Sequence, residues 1–252
     1  MTNTSNHFPI LYHAHHQNFR EDLPFWQSLA CRHGNPILEL GCGTGRVLLP
    51  LAISGHKIFG IDISPDMLQF LNQQISPDIQ SNISLINGDM TNFNVEAHFQ
   101  LIISPCNTYS TIDADMRPVM LNCVYDHLAP GGIFGVSIPN PEMLSALAES
   151  ISEPEIDTIF SHPVTGYPVQ VSNYWKRNAN VLTFIWHYDH LFPNGHIERM
   201  TTSTDHQLST KDQYIREMLA ANFSIQSTYG NFEPEPFTHN STDLIILAQK
   251  QQ

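Results

Sequence analysis

The stretch Ile37-Leu38-Glu39-Leu40-Gly41-Cys42-Gly43-Thr44-Gly45 decides the fold. Its first four residues form a short, mostly apolar run, and such a run bounded by glycine predicts a buried strand. Three glycines at alternate positions follow, and an apolar helical face begins at Val47. A glycine turn between a strand and a helix lets backbone approach a ligand closely and presents amide N–H groups to it. The stretch therefore predicts a strand–turn–helix unit with a ligand site at the turn.

The spacing of the glycines narrows the class of ligand. Dinucleotide-binding proteins carry G-x-G-x-x-G, and the third glycine of that pattern would fall on Arg46. A bulky residue there disfavours the close helix–strand packing that the pattern needs, so a nicotinamide oxidoreductase is the less favoured alternative. The phosphate-binding P-loop is excluded because no G-K-[S/T] follows the glycines.

Outward from this stretch, apolar strands alternate with amphipathic helices, which predicts a parallel sheet with crossover helices. The predicted strands are 37–40, 57–61, 83–87, 100–104 and 133–138. Ser64 has the features of a helix N-cap, with Pro65 in the first helical position. Pro50 predicts that the helix after the glycines is bent or begins late.

The alternation of predicted strands and helices ends after residue 138. Extended, often alternating segments at 169–175, 181–191 and 197–208 are separated by turn residues, which predicts an antiparallel meander inserted after the fifth strand. Thr210 and Gln213 form a capping-box pattern for a last helix. Two closing strands are predicted at 225–229 and 244–249.

Four motifs in order give a resemblance to a known family. The glycine stretch resembles the first motif of class I S-adenosylmethionine-dependent methyltransferases. Gly60-Ile61-Asp62-Ile63-Ser64 with Met67-Leu68 resembles the second, Asn87-Gly88-Asp89-Met90 the third, and Leu128-Ala129-Pro130-Gly131-Gly132 the turn before the fifth strand. The resemblance covers Pro36 to Ile138.

The resemblance implies an α/β fold with a doubly wound, mostly parallel, seven-stranded Rossmann-like sheet that carries the inserted meander. We expect one domain over 1–252, with an N-terminal cap at about 1–35 and the inserted strands at about 150–208. The implied cofactor is S-adenosyl-L-methionine, and S-adenosyl-L-homocysteine is its product. The inserted strands further resemble those of amino-sugar N,N-dimethyltransferases.

The same resemblance assigns the cofactor site. Asp62 would accept hydrogen bonds from both ribose hydroxyls, Asp89 would accept one from the adenine amino group, and Met90 would pack on the adenine ring. Glu39 would help to hold the methionine portion, and Tyr12 and Arg20 would reach its carboxylate. Each has a structural alternative, such as a turn aspartate for Asp62. The full predicted set is Tyr12, Arg20, Glu39, Gly41, Cys42, Gly43, Gly45, Arg46, Asp62, Ile63, Met67, Gly88, Asp89, Met90, Ser104 and Asn107.

Residues for the methyl acceptor are sought at the carboxyl ends of the strands, where open α/β sheets bind ligands. The loop 104–109 follows the fourth strand, so Asn107 and Tyr109 are candidates to position the acceptor. His187 in the meander is the third candidate, with a structural histidine as the alternative. The alternative role for the meander is a homodimer interface. His13, His15 and His16 lack the i, i+4 spacing of a two-ligand helix, so no metal site is predicted.

The amino-acid composition limits the classes of binding partner. The 252-residue chain has 11 basic and 24 acidic residues, a formal net charge of −13, and no basic cluster, which argues against nucleic acid and anionic membranes. The four cysteines lack C-x-x-C spacing, and no signal peptide or membrane span is visible, so we expect a cytoplasmic protein.

A small-molecule methyltransferase is the favoured function. N-methylation is favoured over O-methylation because a neutral amine needs no strong base, whereas a hydroxyl does, and no base stands out in the sequence. The alternative is a cofactor-binding protein that catalyses another reaction or acts as a regulator.

Overall fold

A computed structural model describes residues 7–151 and 153–251 of the chain. The strands are β1 (Ile37–Leu40), β2 (Ile58–Asp62), β3 (Ile83–Asn87), β4 (Phe99–Ser104), β5 (Leu128–Pro139), β6 (Glu155–Ser161), β7 (Pro168–Asn178), β8 (Val181–Leu191), β9 (Ile197–Gln207), β10 (Phe223–Tyr229) and β11 (Asp243–Lys250). The helices are α1 (Phe8–His16), α2 (Leu23–His33), α3 (Leu48–Ile53), α4 (Pro65–Gln74), α5 (Arg117–His127), α6 (Pro141–Ala146) and α7 (Lys211–Ala220), with short 3-10 turns at Gln80–Asn82 and Thr108–Thr111.

The main sheet has seven strands in the order β10-β11-β5-β4-β1-β2-β3. Strands β1 to β5 pair in parallel, whereas β11 runs antiparallel to β5 and β10 antiparallel to β11. The predicted mostly parallel, seven-stranded α/β fold is therefore confirmed. The chain reverses its direction of travel across the sheet between β1 and β4, and a ligand is expected at the carboxyl ends of strands at such a point.

Local capping explains two helix starts. Ser64 Oγ accepts the Met67 N–H at 3.3 Å and begins α4, and Thr210 Oγ1 accepts the Gln213 N–H at 3.2 Å and begins α7. Helix α3 begins late, as predicted, and Pro50 is its third residue. The first N–H groups of a helix have no intrahelical partner, so the missing proline N–H costs no bond there.

The inserted segment forms a separate antiparallel sheet, β6-β7-β8-β9. The sequence predicted three of these strands and missed β6. It also missed α6. Strand β6 is an edge strand whose residues are mostly exposed, so it lacks the alternating apolar pattern by which the other strands are recognised.

Helix α1 lies between the two sheets. Its Leu11 packs with Val169, Val171 and Tyr188 in a small apolar cluster on the inserted sheet. On the other side, His13 Nδ1 lies 3.2 Å from Thr44 Oγ1 in the glycine loop. The N-terminal helix therefore closes a space bounded by the glycine loop and the inserted sheet. No helix within the ranges described is long and apolar enough to cross a membrane.

Candidate functional site

The glycine loop owes its shape to two requirements. Gly41, Gly43 and Gly45 have φ of 74°, 51° and 83°, in the left-handed region that favours glycine. A Cβ on Gly41 would lie 2.6 Å from Thr108 Cγ2, so only glycine allows the loop after β4 to come this close. Around Gly43 a Cβ would meet nothing within 4 Å, since this residue faces open space.

That open space is a cavity of about 290 Å³, which we call the glycine-loop cavity. Its walls come from α1 and the chain after it, the end of β1, the glycine loop, and the loop after β4. The lining residues are Tyr12, His16, Phe19, Glu39, Gly41, Cys42, Gly43, Thr44, Arg46, Cys106, Asn107 and Thr108. Besides the glycines, five of the predicted cofactor residues line this cavity: Tyr12, Glu39, Cys42, Arg46 and Asn107.

Glu39 lies at the end of β1 and is only 2% exposed. Its Oε2 has no hydrogen-bond partner among the residues that the structure describes. Burial raises the pKa of this carboxyl well above its usual value, while the nearby Arg46 guanidinium acts in the opposite direction. A buried carboxylate with an unused oxygen at a cavity wall is suited to receive a cationic group.

Arg46 is already engaged by the protein. Its two terminal nitrogens each donate to one oxygen of the buried Asp22 carboxylate at 2.6 Å, and one also contacts Cys106 Sγ at 2.7 Å. Asp22 also accepts the Trp26 indole N–H at 3.1 Å. This network attaches α2 and the loop after β4 to the glycine loop. Arg20, in contrast, is exposed and lines a separate surface hollow, so the structure does not bring it to the cavity.

Asp62 ends β2 and is tied to the glycine loop. Its Oδ2 accepts the Gly43 N–H at 2.7 Å and its Oδ1 accepts the Ser64 N–H at 2.9 Å. Each carboxylate oxygen keeps a second lone pair for a further donor. The next residue, Ile63, is 70% exposed although it is apolar, so it offers a surface on which a flat ring could pack.

The remaining predicted residues continue along the same edge of the sheet. Asp89 follows β3, is exposed, and accepts the Thr91 N–H and hydroxyl at 2.8 Å each through Oδ1. Met90 is partly buried against the main core, and Met67 is buried in the first turn of α4. The carboxyl ends of β1, β2 and β3 thus place all three acidic candidates, Glu39, Asp62 and Asp89, along one edge.

A second cavity of about 430 Å³ adjoins the first, and we call it the meander cavity. Both cavities are lined by Tyr12, His16, Cys106, Asn107 and Thr108, so these residues surround the junction between them. The further lining residues are Phe8, Thr111, Pro139, Leu144, Phe184, Trp186, Tyr188, Thr202, Thr204 and His206.

One face of the inserted sheet forms a wall of the meander cavity. Along β8, Phe184, Trp186 and Tyr188 alternate onto this face, because successive strand residues point to opposite sides. The register pairs Phe184 with Thr204 and Trp186 with Thr202 on β9. The wall therefore sets aromatic rings beside hydroxyl groups.

The loop after β4 supplies the opposite wall. Cys106 and Asn107 are consecutive non-glycine residues with φ of 60° and 64°, a conformation that costs free energy and that tends to occur at functional sites. The 3-10 turn that follows places Thr108 and Thr111 on one side, toward the cavities, since its side chains eclipse every third residue. Ser104, at the end of β4, is buried, and its Oγ has no partner among the described residues.

Two predicted acceptor residues lie away from both cavities. Tyr109 is fully buried and packs against Phe134 and Tyr214, with ring centroids 5.9 and 5.7 Å away. His187 lies on the opposite face of β8 from Trp186 and Tyr188, where its Nδ1 is 2.8 Å from Thr201 Oγ1. Because successive residues of β8 point to opposite faces, His187 does not share the cavity wall with Trp186 and Tyr188.

The sequence reasoning missed several residues at the cavities, chiefly His16, Thr202, Thr204 and His206. A signal was present for β9, in which Met200, Thr202, Thr204 and His206 alternate with exposed residues. The polar character of these residues hid the pattern, because an inward-facing row is normally sought among apolar side chains.

Residues 37–132 match a family described as "Methyltransferase domain". The chain carries a methyltransferase domain. The match begins at β1 and ends at the turn inside β5, so the methyltransferase domain includes the glycine loop and the ends of β1 to β4. The motifs that carried the resemblance all lie within it.

Similar proteins cover the rest of the chain as well. A cypemycin N-terminal methyltransferase from Streptomyces sp is 20% identical over 226 residues, which are 86% of this chain and 84% of that protein. A solved S-adenosylmethionine-dependent methyltransferase from Clostridium acetobutylicum superposes with a TM-score of 0.80 at 16% identity, over 99% of this chain and 100% of the other. The sugar N-methyltransferase KedS8 from Streptoalloteichus sp superposes with a TM-score of 0.75 at 15% identity, over 97% and 93% of the two chains.

A solved structure of the glycopeptide N-methyltransferase MtfA, complexed with (S)-adenosyl-L-homocysteine, superposes on this chain with a TM-score of 0.61 at 18% identity, and S-adenosylmethionine is the cofactor that the sequence motifs predict. The residues present fit this cofactor. The unpartnered Glu39 oxygen suits the α-ammonium group of its methionine portion, and the open space at Gly43 leaves room beside the glycine loop.

Proposed function

We propose that the chain transfers a methyl group from S-adenosylmethionine to the amine nitrogen of a small, polar, ring-containing molecule bound in the meander cavity. The observation that carries this proposal is the junction between the two cavities. Cofactor bound along the glycine loop would direct its methyl group toward the junction residues, and an acceptor in the meander cavity would approach the methyl from the far side.

The chain's own residues supply binding and orientation. Glu39 receives the cofactor's ammonium group, the glycine-loop N–H groups lie along its length, and Asp62 receives the ribose hydroxyls. When bound, the cofactor supplies an already activated methyl group, so the protein's main task is to hold the acceptor in line with it. Such positioning can supply roughly 7 to 11 kcal/mol of a barrier.

The lining of the meander cavity indicates the acceptor class. Aromatic rings of β8 beside threonine hydroxyls of β9 suit a molecule with an apolar ring face and hydroxyl groups at its rim. None of the described residues that line this cavity is Asp, Glu, Lys or Arg. The cavity therefore favours an acceptor without a phosphate or carboxylate at the point of contact.

The preference for nitrogen rests on two supports. The name of the sugar N-methyltransferase KedS8 specifies N-methylation, and that of the cypemycin N-terminal methyltransferase specifies an N-terminus, which in a peptide carries an amine. An amine also attacks without the strong base that a hydroxyl requires. An amino sugar fits both the cavity wall and the resemblance to amino-sugar N,N-dimethyltransferases.

The test is a product screen with matched acceptors. The protein is incubated with S-adenosylmethionine and pairs that differ only in the nucleophile, such as aminodeoxyhexoses against hexoses and peptides with free against acetylated N-termini. Mass spectrometry should show the addition of one CH₂ to amines alone, with one S-adenosylhomocysteine formed per methyl group. Methylation of hydroxyls alone would contradict the proposal. Cofactor binding with no methylated product from any pair would favour the regulatory alternative.

A further inference from the structure

One side chain that lines the meander cavity, His206, has a hydrogen-bonding arrangement that plays no part in the proposed cofactor binding. His206 lies on β9, is 9% exposed, and lines the cavity. Its Nδ1 is 2.8 Å from Ser110 Oγ, a residue 96 positions away in the 3-10 turn after β4. Ser110 Oγ in turn donates to the Asn107 carbonyl oxygen at 2.6 Å.

This chain of contacts favours one tautomer of His206. A serine hydroxyl has a single proton, and a hydroxyl that donates it to the Asn107 carbonyl oxygen can only accept from Nδ1. Nδ1 then carries the proton that lies between His206 and Ser110. The neutral ring therefore presents Nε2 as a proton acceptor, and among the described residues the His206 side chain has a hydrogen-bond partner only through Nδ1. A base whose other nitrogen is oriented by a third group is the usual arrangement of a general base.

Other titratable groups around the cavity are less suited to accept a proton. Burial raises the pKa of Tyr12 and Tyr188, so both hydroxyls stay protonated at neutral pH. Desolvation by the cavity walls raises the pKa of the Cys106 thiol to about 11. Burial lowers the pKa of His16 to about 3, which makes it a weak base.

His206 differs from His16 in its charged neighbours. Burial lowers the pKa of both histidines, but His15 and Arg46 lower that of His16 further, whereas Asp205, adjacent to His206 on the same strand, acts in the opposite direction. The ring is therefore neutral near pH 7 and free to take up a proton. Protonation at Nε2 leaves the Nδ1–H bond to Ser110 intact, so the same contacts would orient the resulting imidazolium.

We propose that His206 is a catalytic base of this methyltransferase, which accepts at Nε2 the proton that the acceptor's ammonium group must lose before it can attack. This inference rests on the proposed N-methylation in the meander cavity. It assigns a proton acceptor to the reaction, for which no base stood out in the sequence.

The acceptor R-NH₃⁺ gives one proton to Nε2 and becomes R-NH₂. Its nitrogen lone pair forms a bond to the methyl carbon as the carbon–sulfur bond breaks, and that bonding pair goes to sulfur. The products are R-NH₂⁺-CH₃ and neutral S-adenosylhomocysteine, and His206 then releases its proton to solvent.

The first test measures kcat for an amine acceptor from the product screen, at pH 7 and at a pH above the pKa of that amine. Loss of a general base costs about 100-fold or more, so His206→Asn and His206→Gln should be slower than wild type by this factor at pH 7. At the higher pH the amine is already neutral, and the difference should fall below about 10-fold. The matched control is His196→Gln, an exposed histidine on the loop before β9, which should keep wild-type kcat at both pH values.

An equal loss at both pH values would show that His206 is only structural, and unchanged kcat would also overturn the inference. Affinity for S-adenosylhomocysteine by calorimetry should match wild type in every variant, which shows that each is folded. If wild type methylates no amine, the proposed function fails, and the second test still decides the role of His206.

The second test needs no acceptor. NMR of the wild-type protein with ¹⁵N-labelled histidine and bound S-adenosylhomocysteine reports which ring nitrogen carries the proton, and the His206 signal is the one that His206→Gln removes. We expect a protonated Nδ1 and an unprotonated Nε2 at pH 7.5. A protonated Nε2 at that pH would overturn the assignment of a base.

Discussion

At the scale of single residues, two acidic side chains at neighbouring strand ends have opposite environments. Asp62 accepts two backbone N–H groups, whereas Glu39 is buried with one oxygen unpartnered. Burial without hydrogen bonds disfavours the charged form of the Glu39 carboxylate. The two residues should therefore respond differently to substitution.

Asp62→Ala should weaken S-adenosylhomocysteine binding by about 2 to 4 kcal/mol, because the ribose hydroxyls lose a charged partner and the glycine loop loses its attachment through Gly43. Calorimetry of the folded variant measures this change. Asp115→Ala, which removes an exposed carboxylate in the segment before α5, is the control and should leave affinity unchanged. Wild-type affinity in Asp62→Ala would mean that other groups hold the ribose.

Glu39 should release a proton when S-adenosylhomocysteine binds. Burial raises its pKa in the free protein, so the carboxyl is partly protonated at pH values above its usual range. The ligand's ammonium group lowers that pKa again and expels the proton. Calorimetry in buffers of different ionisation enthalpy should detect net proton release in wild type and none in Glu39→Gln.

The direction of the Glu39 pKa shift also determines how the free energy of unfolding depends on pH. The folded state of the free protein holds a proton at Glu39 that the unfolded chain has lost, so this group's contribution to the unfolding free energy falls as pH rises from the unfolded pKa toward the folded one. Glu39→Gln removes that contribution. Free-energy curves for the two proteins that run parallel over this pH range would contradict a raised pKa.

At the scale of elements, the two-residue repeat of β8 places neighbouring side chains on opposite faces of the inserted sheet, where they have different roles. Trp186 faces the meander cavity, and His187 faces the other side of the sheet. Trp186→Ala should lower the methylation rate of an amine acceptor by about 10-fold or more, since an apolar side chain that the bound acceptor covers contributes roughly 1.5 to 3 kcal/mol. Affinity for S-adenosylhomocysteine should not change, because Trp186 does not line the glycine-loop cavity.

His187→Ala is the matched control for this prediction and should turn over the same acceptor at close to the wild-type rate. The measurement is S-adenosylhomocysteine release under saturating cofactor. A large loss in His187→Ala with a normal rate in Trp186→Ala would place the acceptor on the opposite face of the inserted sheet.

At the scale of the whole molecule, one buried ion pair joins parts that are distant in sequence. Arg117 of α5 is fully buried and donates to both oxygens of Glu217 on α7, at 2.7 and 2.9 Å. It also donates to the Ile112 carbonyl at 3.2 Å and to Ser209 Oγ at 2.8 Å. These contacts connect the loop after β4 to the point where the chain leaves the inserted sheet.

Arg117→Leu should destabilise the protein by about 3 to 5 kcal/mol, because it leaves Glu217 charged beside the core without its partner. Chemical denaturation measures the change. Arg117→Leu combined with Glu217→Leu should recover most of the loss, since no unpaired charge remains. A double variant as unstable as the single one would show that the bonds to Ile112 and Ser209 matter more than the ion pair.

The sequence by itself determined the methyltransferase fold and the cofactor side of the site. Those features are local, because a glycine turn follows its strand directly and parallel strands bring their carboxyl ends to one edge. Glu39, Asp62 and Asp89 could therefore be predicted from the sequence, each at the carboxyl end of its strand. The roles of these residues in cofactor binding remain predictions.

Only the tertiary structure decided which residues face the acceptor. His206 and Ser110 are 96 positions apart, and they meet because the inserted sheet folds back over the loop after β4. Arg46 rather than Arg20 borders the cavity because Asp22 holds its guanidinium there. Which face of a strand points inward depends on what packs against it, and that partner is supplied by another part of the chain, so Tyr109 and His187 could not be assigned from local sequence.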